Sequence, residues 1–455
     1  MIHSASQIER LMTRRARPIC IIGTGYVGMA CTLGFAELGW SVNGYDILPE
    51  RIERLRRGIP PYREPGIEES LHKHIGNGRI AFFDDIEAAA REAQIVIVAV
   101  GTPARDDGSA DMSALRSAIE QLSHVEFATW PTIVIRSTVP PGTSDAIAAE
   151  VSKWADLVYA PEFLREGSAV PDFLNPDRIV VGTDQPATAV QYVMLLEALK
   201  KRVVFTSRCN AELIKSASNA FLALKISFAN EVANMCDALG ATSEDVLRGI
   251  GYDRRIGSEF LRPGIGFGGP CFEKDVRSMS YVAEQHDLGS ELFAATLRVN
   301  EAQPQRIVRM LESEVLPLAG RTIGVWGLAF KAGTDDIRDS LALRIVDELG
   351  RRGARMVVYD PAVRVAPLPT GSRLVATALE ATFCDALLVL TEWPEFARVD
   401  PLDYVRHIAL GVVVDGRNVL DSTRVAAAGL RYRGVGLSVS PSAEHQHIAS
   451  AGVHV

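Results

Sequence analysis

Cysteine is sparse in this chain, and its few positions form no pattern. The six cysteines (Cys20, Cys31, Cys209, Cys236, Cys271 and Cys384) show no CxxC or metal-ligand spacing. That argues against a disulfide framework and a zinc site, and it fits a reducing cytoplasm. No apolar run approaches the roughly 20 residues needed to cross a membrane. The first residues carry arginines without an apolar segment behind them, so no secretory signal is expected. Positive charge is not in excess either: the net charge is −8. The basic clusters (Arg14, Arg15, Arg17; Arg54, Arg56, Arg57) are short and lack interleaved aromatics, so nucleic acid is not an expected partner. What is present is an ordinary globular mix, 47% hydrophobic and 23% charged, over 455 residues. That length suits about three domains.

Residues 1 to about 16 read as a loosely held arm. A short apolar run over 18–22 then reads as a buried parallel strand. Gly23-Thr24-Gly25-Tyr26-Val27-Gly28 follows at once, a helical stretch spans 29–38, and a second apolar run over 41–45 ends in Asp46. This is G-x-G-x-x-G with a strand before, a helix after and an acid about 20 residues on. Gly23, Gly25 and Gly28 permit the tight turn and the approach of a pyrophosphate to the helix N-terminus. Asp46 can accept from both ribose hydroxyls of NAD. A 2′-phosphate would face its carboxylate, so NAD is expected over NADP, although Arg51 stands near enough to relieve part of that repulsion. Strand-like runs over 94–100, 132–135, 157–159, 178–181 and 203–205, with a helix over 111–122 capped by Asp111, complete a doubly wound α/β domain. Ligand groups belong at the carboxyl ends of its strands, where Thr102, Ser137, Thr138 and Glu162 fall.

The pattern changes near residue 210. Apolar side chains at helical spacing over 211–239 predict one long helix in a central helical domain. Lys215 and Asn219 lie one turn apart on it. From the residues alone, a polar stripe facing solvent is the favoured reading of that pair. A second long helix is expected over 289–315, broken or kinked at Pro304. A third unit from about Arg321 repeats the first in outline. It has a glycine-ended strand over 322–327, a helix over 341–352, a strand over 354–359 followed by Asp360, and strands over 386–390 and 412–414. It lacks a full GxGxxG, so Asp360 is not expected to hold a second ribose. Lys331, Arg338 and Arg417 stand at strand–loop junctions and suit an anionic ligand such as a diphosphate. Beyond about Leu437 the chain is small and polar. The expected architecture is α/β: two doubly wound Rossmann-like domains, 1–208 and 317–455, joined by a central all-helical domain, 209–316.

One further stretch stands out, Gly266-Phe267-Gly268-Gly269-Pro270-Cys271-Phe272-Glu273-Lys274-Asp275. If a helix begins at Pro270 or Cys271, the thiol sits where unpaired N–H groups favour a thiolate. The i, i+4 spacing then puts Asp275 on the same face. A Gly-rich turn followed by a buried, inert cysteine fits the stretch alone about equally well.

Several segments now line up in order. They are the Gly23–Gly28 turn, Val100-Gly101-Thr102-Pro103, Arg136-Ser137-Thr138-Val139-Pro140, Pro161-Glu162-Phe163-Leu164-Arg165-Glu166-Gly167, the run 219–228, the cysteine stretch, Gly327-Leu328-Ala329-Phe330-Lys331 and Asp415-Gly416-Arg417-Asn418. Across about 18–436 the chain resembles the UDP-glucose/GDP-mannose dehydrogenase family. The resemblance implies a four-electron oxidation of a nucleotide sugar's C6 alcohol to a carboxylate with two NAD. It implies that Cys271 is the nucleophile, passing through a thiohemiacetal and a thioester that water hydrolyses. Lys215, helped by Asn219, would stabilise the oxyanion. Asp275 would hold a water for proton transfer, with Glu162 and Thr138 as further candidates. The sugar nucleotide would fall to Glu162, Phe163, Leu164, Arg165, Glu166, Lys215, Asn219, Phe260, Leu261, Arg262, Pro263, Gly264, Gly268, Lys331 and Arg417, and Arg255 would reach the substrate of a partner subunit. NAD would touch Gly23, Gly25, Tyr26, Val27, Gly28, Asp46, Arg51, Thr102, Ser137, Glu166, Lys274 and Arg338. No metal is implied, and the helical domain would form a homodimer or a higher homo-oligomer.

The stretch Phe260-Leu261-Arg262-Pro263-Gly264-Ile265-Gly266-Phe267-Gly268-Gly269 resembles the UDP-glucose branch more than branches acting on GDP-mannose or a UDP-N-acetylhexosamine. Pro270, Glu273 and Arg262 depart from the common family pattern beside the sugar pocket. Two rival readings are set against this one. A two-electron β-hydroxyacid dehydrogenase would need no thiol and no third α/β domain. A non-catalytic nucleotide-sugar-binding protein would not need Cys271, Lys215, Asn219 and Asp275 together.

Overall fold

A computed structural model describes residues 17–439; the expected arm and the residues after 439 lie outside this span. The first sheet is built from short apolar runs. β1 (Ile19–Ile22), β4 (Ile95–Val98), β5 (Thr132–Ile135) and β7 (Ile179–Gly182) are buried at every residue, as strands covered on both faces must be. With β2 (Val42–Tyr45), β3 (Ile80–Phe83), β6 (Asp156–Tyr159) and β8 (Val203–Thr206) they form an eight-stranded sheet, ordered β3-β2-β1-β4-β5-β6-β7-β8. Its pairings are parallel except β6 with β7, which meet antiparallel at Tyr159 and Gly182. Alternate residues of β1 feed two cores. Ile19 and Ile21 pack with Phe35 and Phe173 on one face, and Cys20 and Ile22 with Ile119 and Leu122 on the other. The order reverses between β1 and β4, which opens a crevice at their carboxyl ends.

The second sheet contains β9 (Thr322–Trp326), β10 (Arg355–Tyr359), β11 (Arg373–Leu374), β12 (Cys384–Val389), β13 (Ile408–Asp415), β14 (Arg431–Gly434) and β15 (Leu437–Val439). It is seven-stranded, ordered β11-β10-β9-β12-β13-β14-β15, and only the last pair is antiparallel. Ile323 and Val325 face one core with Ile345 and Leu349; Trp326 faces the other with Phe396 and Tyr404.

Between the sheets in sequence runs a helix of 32 residues, Arg208–Leu239. The second long helix, Glu291–Glu314, continues through Pro304, so of the break or kink expected there it shows no break. The cap expected at Asp111 also differs. Met112 holds the N-cap of the helix Ser113–Ser123, and the Asp111 carboxylate accepts from the Ser113 N–H. The chain separates into two compact units. Among the described residues, one holds residues 17–221, Cys271–Ala294 and Gly333–Asp335; the other holds Leu222–Pro270, Ala295–Ala332 and residues 336–439.

Candidate active site

In the first unit, β1 ends in a turn that only glycine can make. Gly23 has φ +90, and a Cβ at Gly28 would lie 1.8 Å from the carbonyl oxygen of Gly23. Gly25 caps the helix Tyr26–Glu37 without any side-chain hydrogen bond, so its first N–H groups stay available to an anion. A Cβ at Gly25 would meet nothing within 4 Å, which marks open space before that helix end. Val27 packs against the core behind it. Asp46, at the end of β2, is 5% exposed. Its Oδ2 accepts from Thr24 N (2.8 Å), Thr24 Oγ1 (2.9 Å) and Arg51 Nη1 (2.9 Å), and its Oδ1 accepts from Leu48 N. An open anion cradle beside a carboxylate at the next strand end fits the pyrophosphate and ribose of NAD. Thr102 Oγ1 donates to Thr138 O (2.6 Å) and Ser137 Oγ to Val100 O (2.7 Å), tying together the loops that follow β4 and β5.

The same unit collects the expected chemical groups. Cys271 is the N-cap of the helix Phe272–Gln285, and Asp275 N donates to Cys271 O one turn on. Asp275 is buried. Its Oδ2 accepts from Asn219 Nδ2 and its Oδ1 from Lys274 Nζ, both at 2.6 Å. Lys215 Nζ lies 2.9 Å from Glu162 Oε1, and Glu162 Oε2 accepts from Leu164 N. A solvent-facing stripe is therefore wrong for Lys215 and Asn219, which are 4% and 8% exposed. Two carboxylates from other elements draw that helix face inward. Burial alone would lower the Lys215 pKa, but Glu162 and Asp275 outweigh it and hold the amine charged. Burial alone would raise Glu162, but Lys215 outweighs it and keeps the carboxyl below its ordinary value.

At Cys271 the sequence leaves two readings open, a thiolate and a buried thiol, and the surroundings favour the protonated thiol. By surface area the residue is exposed, yet its sulfur is closely surrounded by protein. The charged neighbours act on the sulfur in either case. Burial first, then Asp275 and Glu162, push the thiol up to about 12, with Lys215 opposing. The helix N-terminus does not prevail against two nearby carboxylates.

Around this cluster, the Arg178 guanidinium lies 3.8 Å from the centroid of the Phe163 ring, with Lys215 Nζ 5.5 Å from it. Arg165 is exposed and holds Asp172 through both its side chain and its N–H. Glu166 is half-buried. Arg136 is given no role of its own by the sequence, although a charge ending an apolar strand is a usable signal. Its Nη1 donates to Tyr192 Oη (3.0 Å) and lies 3.3 and 3.4 Å from the carbonyls of Ala160 and Pro161, so it fixes the chain just before Glu162.

The second unit holds the remaining expected residues. Phe260 adopts φ 64, costly for an aromatic residue. Leu261 is buried, Pro263 half-buried and Arg262 exposed. Two asparagines not foreseen in the sequence brace this stretch. Asn230 Oδ1 accepts from Gly264 N, and Asn300 pairs with both the N–H and the carbonyl of Phe267. A Cβ at Gly268 would lie 2.6 Å from Asp339 O, so packing alone demands glycine there. Arg417 donates from Nε, Nη1 and Nη2 to the carbonyls of Leu390, Gly266 and Phe330, and its Nε lies 3.2 Å from Glu392 Oε2. Arg338 forks onto Asp336, and Arg255, 84% exposed, forks onto Asp253. Lys331 is half-buried. Asp360 follows β10 as Asp46 follows β2, but it accepts from Leu328, Ala329, Ala362 and Val363 N–H groups and from Trp393. It is thus occupied by its own loops. Among the described residues no cluster could hold a metal ion, and no helix is long and apolar enough to cross a membrane.

Three family models match the chain in order. They are the NAD binding domain (17–201), the central domain (209–302) and the UDP binding domain (324–422) of the UDP-glucose/GDP-mannose dehydrogenase family. The UDP-glucose 6-dehydrogenase TuaD of Bacillus subtilis is 38% identical over 432 residues, covering 92% of this chain and 93% of that protein. A UDP-glucose 6-dehydrogenase of Rhizobium meliloti is 39% identical over 433 residues, covering 92% and 99%. The solved UDP-glucose dehydrogenase of Pyrobaculum islandicum superposes with a TM-score of 0.85 at 38% identity, covering 92% of this chain and 98% of that one.

Proposed function

The chain belongs to the UDP-glucose/GDP-mannose dehydrogenase family, and from that premise we propose that it is a UDP-glucose 6-dehydrogenase, oxidising UDP-glucose to UDP-glucuronate with two NAD. The observation that carries the reading is the closed set around Cys271: Asp275 one turn on, Asn219 bonded to it, and Lys215 ion-paired with Glu162. NAD, when bound, accepts a hydride in each of two oxidations. The residues of this chain do the rest. A water held by Asp275 and Thr138 takes the C6 hydroxyl proton. That base passes its proton to solvent, and the Cys271 thiol, protonated at neutral pH, then gives it a second proton as sulfur adds to the aldehyde carbon. Lys215 and Asn219 face the resulting oxyanion. After the second oxidation the thioester is opened by water, with Glu162 or Asp275 accepting its proton, and the thiol is restored. One alcohol, one water and two NAD give one carboxylate, two NADH and three protons.

Residues up to 208 are taken as the NAD domain, 209–316 as the dimerisation domain and those from 317 as the nucleotide-sugar domain, with the stretch 260–264 and Lys331 as nucleotide-sugar contacts. A free nucleophilic thiol supports a cytoplasmic location. An NADH-release assay with UDP-glucose, GDP-mannose and a UDP-N-acetylhexosamine, each limiting, tests the reading. Two NADH per UDP-glucose are expected, with the others inert. Two NADH from another sugar would move the specificity, and one NADH from any sugar would refute the thioester route.

We further propose a homodimer built on the central helices. Phe228, Met235 and Leu239 stand exposed along one helix, with Val246, Tyr252 and Ile256 exposed after it. A monomer seldom leaves so many large apolar groups uncovered in one region. Arg255, in the same exposed region, would reach the partner subunit's substrate. Light scattering on the eluted protein is expected to give twice the 49.4 kDa chain mass or a higher multiple. A monomer at micromolar concentration would reject this assembly.

A further inference from the structure

One side chain ties the dinucleotide turn to the segment that carries Glu162. Tyr26 opens the helix Tyr26–Glu37, where the cofactor's pyrophosphate would sit. Its hydroxyl lies 2.7 Å from Arg165 O and 3.0 Å from Glu64 Oε2. Glu64 is buried, and its Oε1 accepts from Val170 N at 3.4 Å. The N–H groups of Ala169 and Gly167 also face its carboxyl. The Tyr62 ring packs on Tyr26, centroids 4.7 Å apart, and its hydroxyl donates to Tyr26 O. Nothing assigned so far uses Tyr62 or Glu64.

A phenol has one proton to give, and both of its neighbours here are oxygens. With Glu64 ionised, only one of the two contacts is a full hydrogen bond. With Glu64 protonated, it donates to Tyr26 while Tyr26 donates to Arg165, and both contacts are satisfied. Burial raises the Glu64 carboxyl above its ordinary value, despite the Tyr26 hydroxyl and the backbone N–H groups of Val170, Ala169 and Gly167. That direction agrees with the satisfied arrangement. Glu166 adds negative charge near both tyrosines.

We propose that Glu64 is a positioning residue: acting through Tyr26, it locks residues 165–170 onto the dinucleotide turn, so that a filled cofactor site orders the segment that receives the sugar nucleotide. A ligand at the helix end restrains Tyr26, Tyr26 restrains Arg165 O, and Glu64 holds both Tyr26 and the amides after Gly167. For the order of loading, this rests on the nucleotide-sugar reading above.

The test uses the full-length protein with NADH, which fills the cofactor site without turnover. Hydrogen exchange of amides 164–170 is followed with and without NADH in the wild type and in Glu64→Gln, Glu64→Ala and Tyr26→Phe. Glutamine keeps a donor toward Tyr26, so Glu64→Gln is expected to retain the NADH-induced protection. Glu64→Ala is expected to lose it, by about tenfold in rate, while still binding NADH, and Tyr26→Phe to lose it at an NADH concentration that saturates that variant. UDP-glucose is expected to tighten NADH binding at least about fivefold in the wild type and Glu64→Gln, and less than about twofold in the other two. Protection that persists in both Glu64→Ala and Tyr26→Phe overturns the proposal, as does a wild type that NADH does not protect. Lowered stability with unchanged NADH protection reveals a structural role only and also overturns it. If UDP-glucose fails to bind the wild type while the exchange pattern is as expected, the substrate reading falls and the lock stands.

Discussion

Cys271→Ala is expected to cut uronate formation by about a thousandfold or more while leaving NAD binding near the wild-type level. A group that forms a covalent intermediate has no substitute among its neighbours, and its loss removes most of the rate. Asp275, Asn219, Lys215 and Glu162 remain in the variant, so the first oxidation can still run. At most one NADH per sugar is then expected, with aldehyde in place of acid. Chromatography of the product together with the NADH count decides this, and wild-type uronate formation by Cys271→Ala would dispose of the thioester. A pH experiment probes the same thiol in the intact protein. With its pKa pushed up to about 12 by burial, Asp275 and Glu162, only a very small thiolate fraction exists at neutral pH. Alkylation of Cys271 by iodoacetamide in the ligand-free protein should therefore rise about tenfold per pH unit from pH 7 to 10. A plateau below pH 8 would show a stabilised thiolate and remove the need for a base in the addition step.

Lys215→Met is expected to lower kcat by about 10²–10³ and to cost about 3–5 kcal/mol of stability. Methionine fills similar volume, so the loss is electrostatic. It strips the cation from Glu162 and removes a positive charge beside Asp275, both buried. The pH dependence carries a sign that identifies the cause. In the wild type, Glu162 has a folded pKa below its unfolded value of about 4.3. Its contribution is present above that value and is lost as pH falls through the folded pKa. Lys215 has a folded pKa above its unfolded value of about 10.4. Its contribution is present below that value and is lost as pH rises through the folded pKa. Across neutral pH the pair therefore gives a flat stability. Without Lys215, burial dominates at Glu162 and its folded pKa moves above the unfolded one. The variant should then gain more melting temperature than the wild type as pH is lowered from 8 to 5. A variant with the wild-type slope would show that the ion pair contributes little to folding.

Much of the fold was legible because fully buried strands read as unbroken apolar runs. Thr132–Ile135 and Ile179–Gly182 could hardly be anything else. β3 was not read: Ile80–Phe83 is a four-residue edge strand whose second residue faces outward, and too few residues remain to show a period. At the site, spacing along one element sufficed for Cys271 and Asp275, and for Gly23, Gly25 and Gly28. Spacing failed wherever the deciding partner came from elsewhere in the chain. Lys215 reads as solvent-facing until Glu162 is placed against it. The Cys271 thiol reads as acidic until Asp275 and Glu162 are counted. The three carbonyls and the Glu392 carboxylate around Arg417 leave no trace in its local sequence. Glu64 and Asn230 gave no local signal, since each acts through a backbone group more than 30 residues away.

The two-residue strand β11 closes one border of the second sheet. It is too short to offer a foreign strand a continuous ladder of N–H and C=O groups. This domain is poorly suited to templated fibril growth from that side, and it should tolerate crowding at high concentration better than a fold ending in a long bare strand.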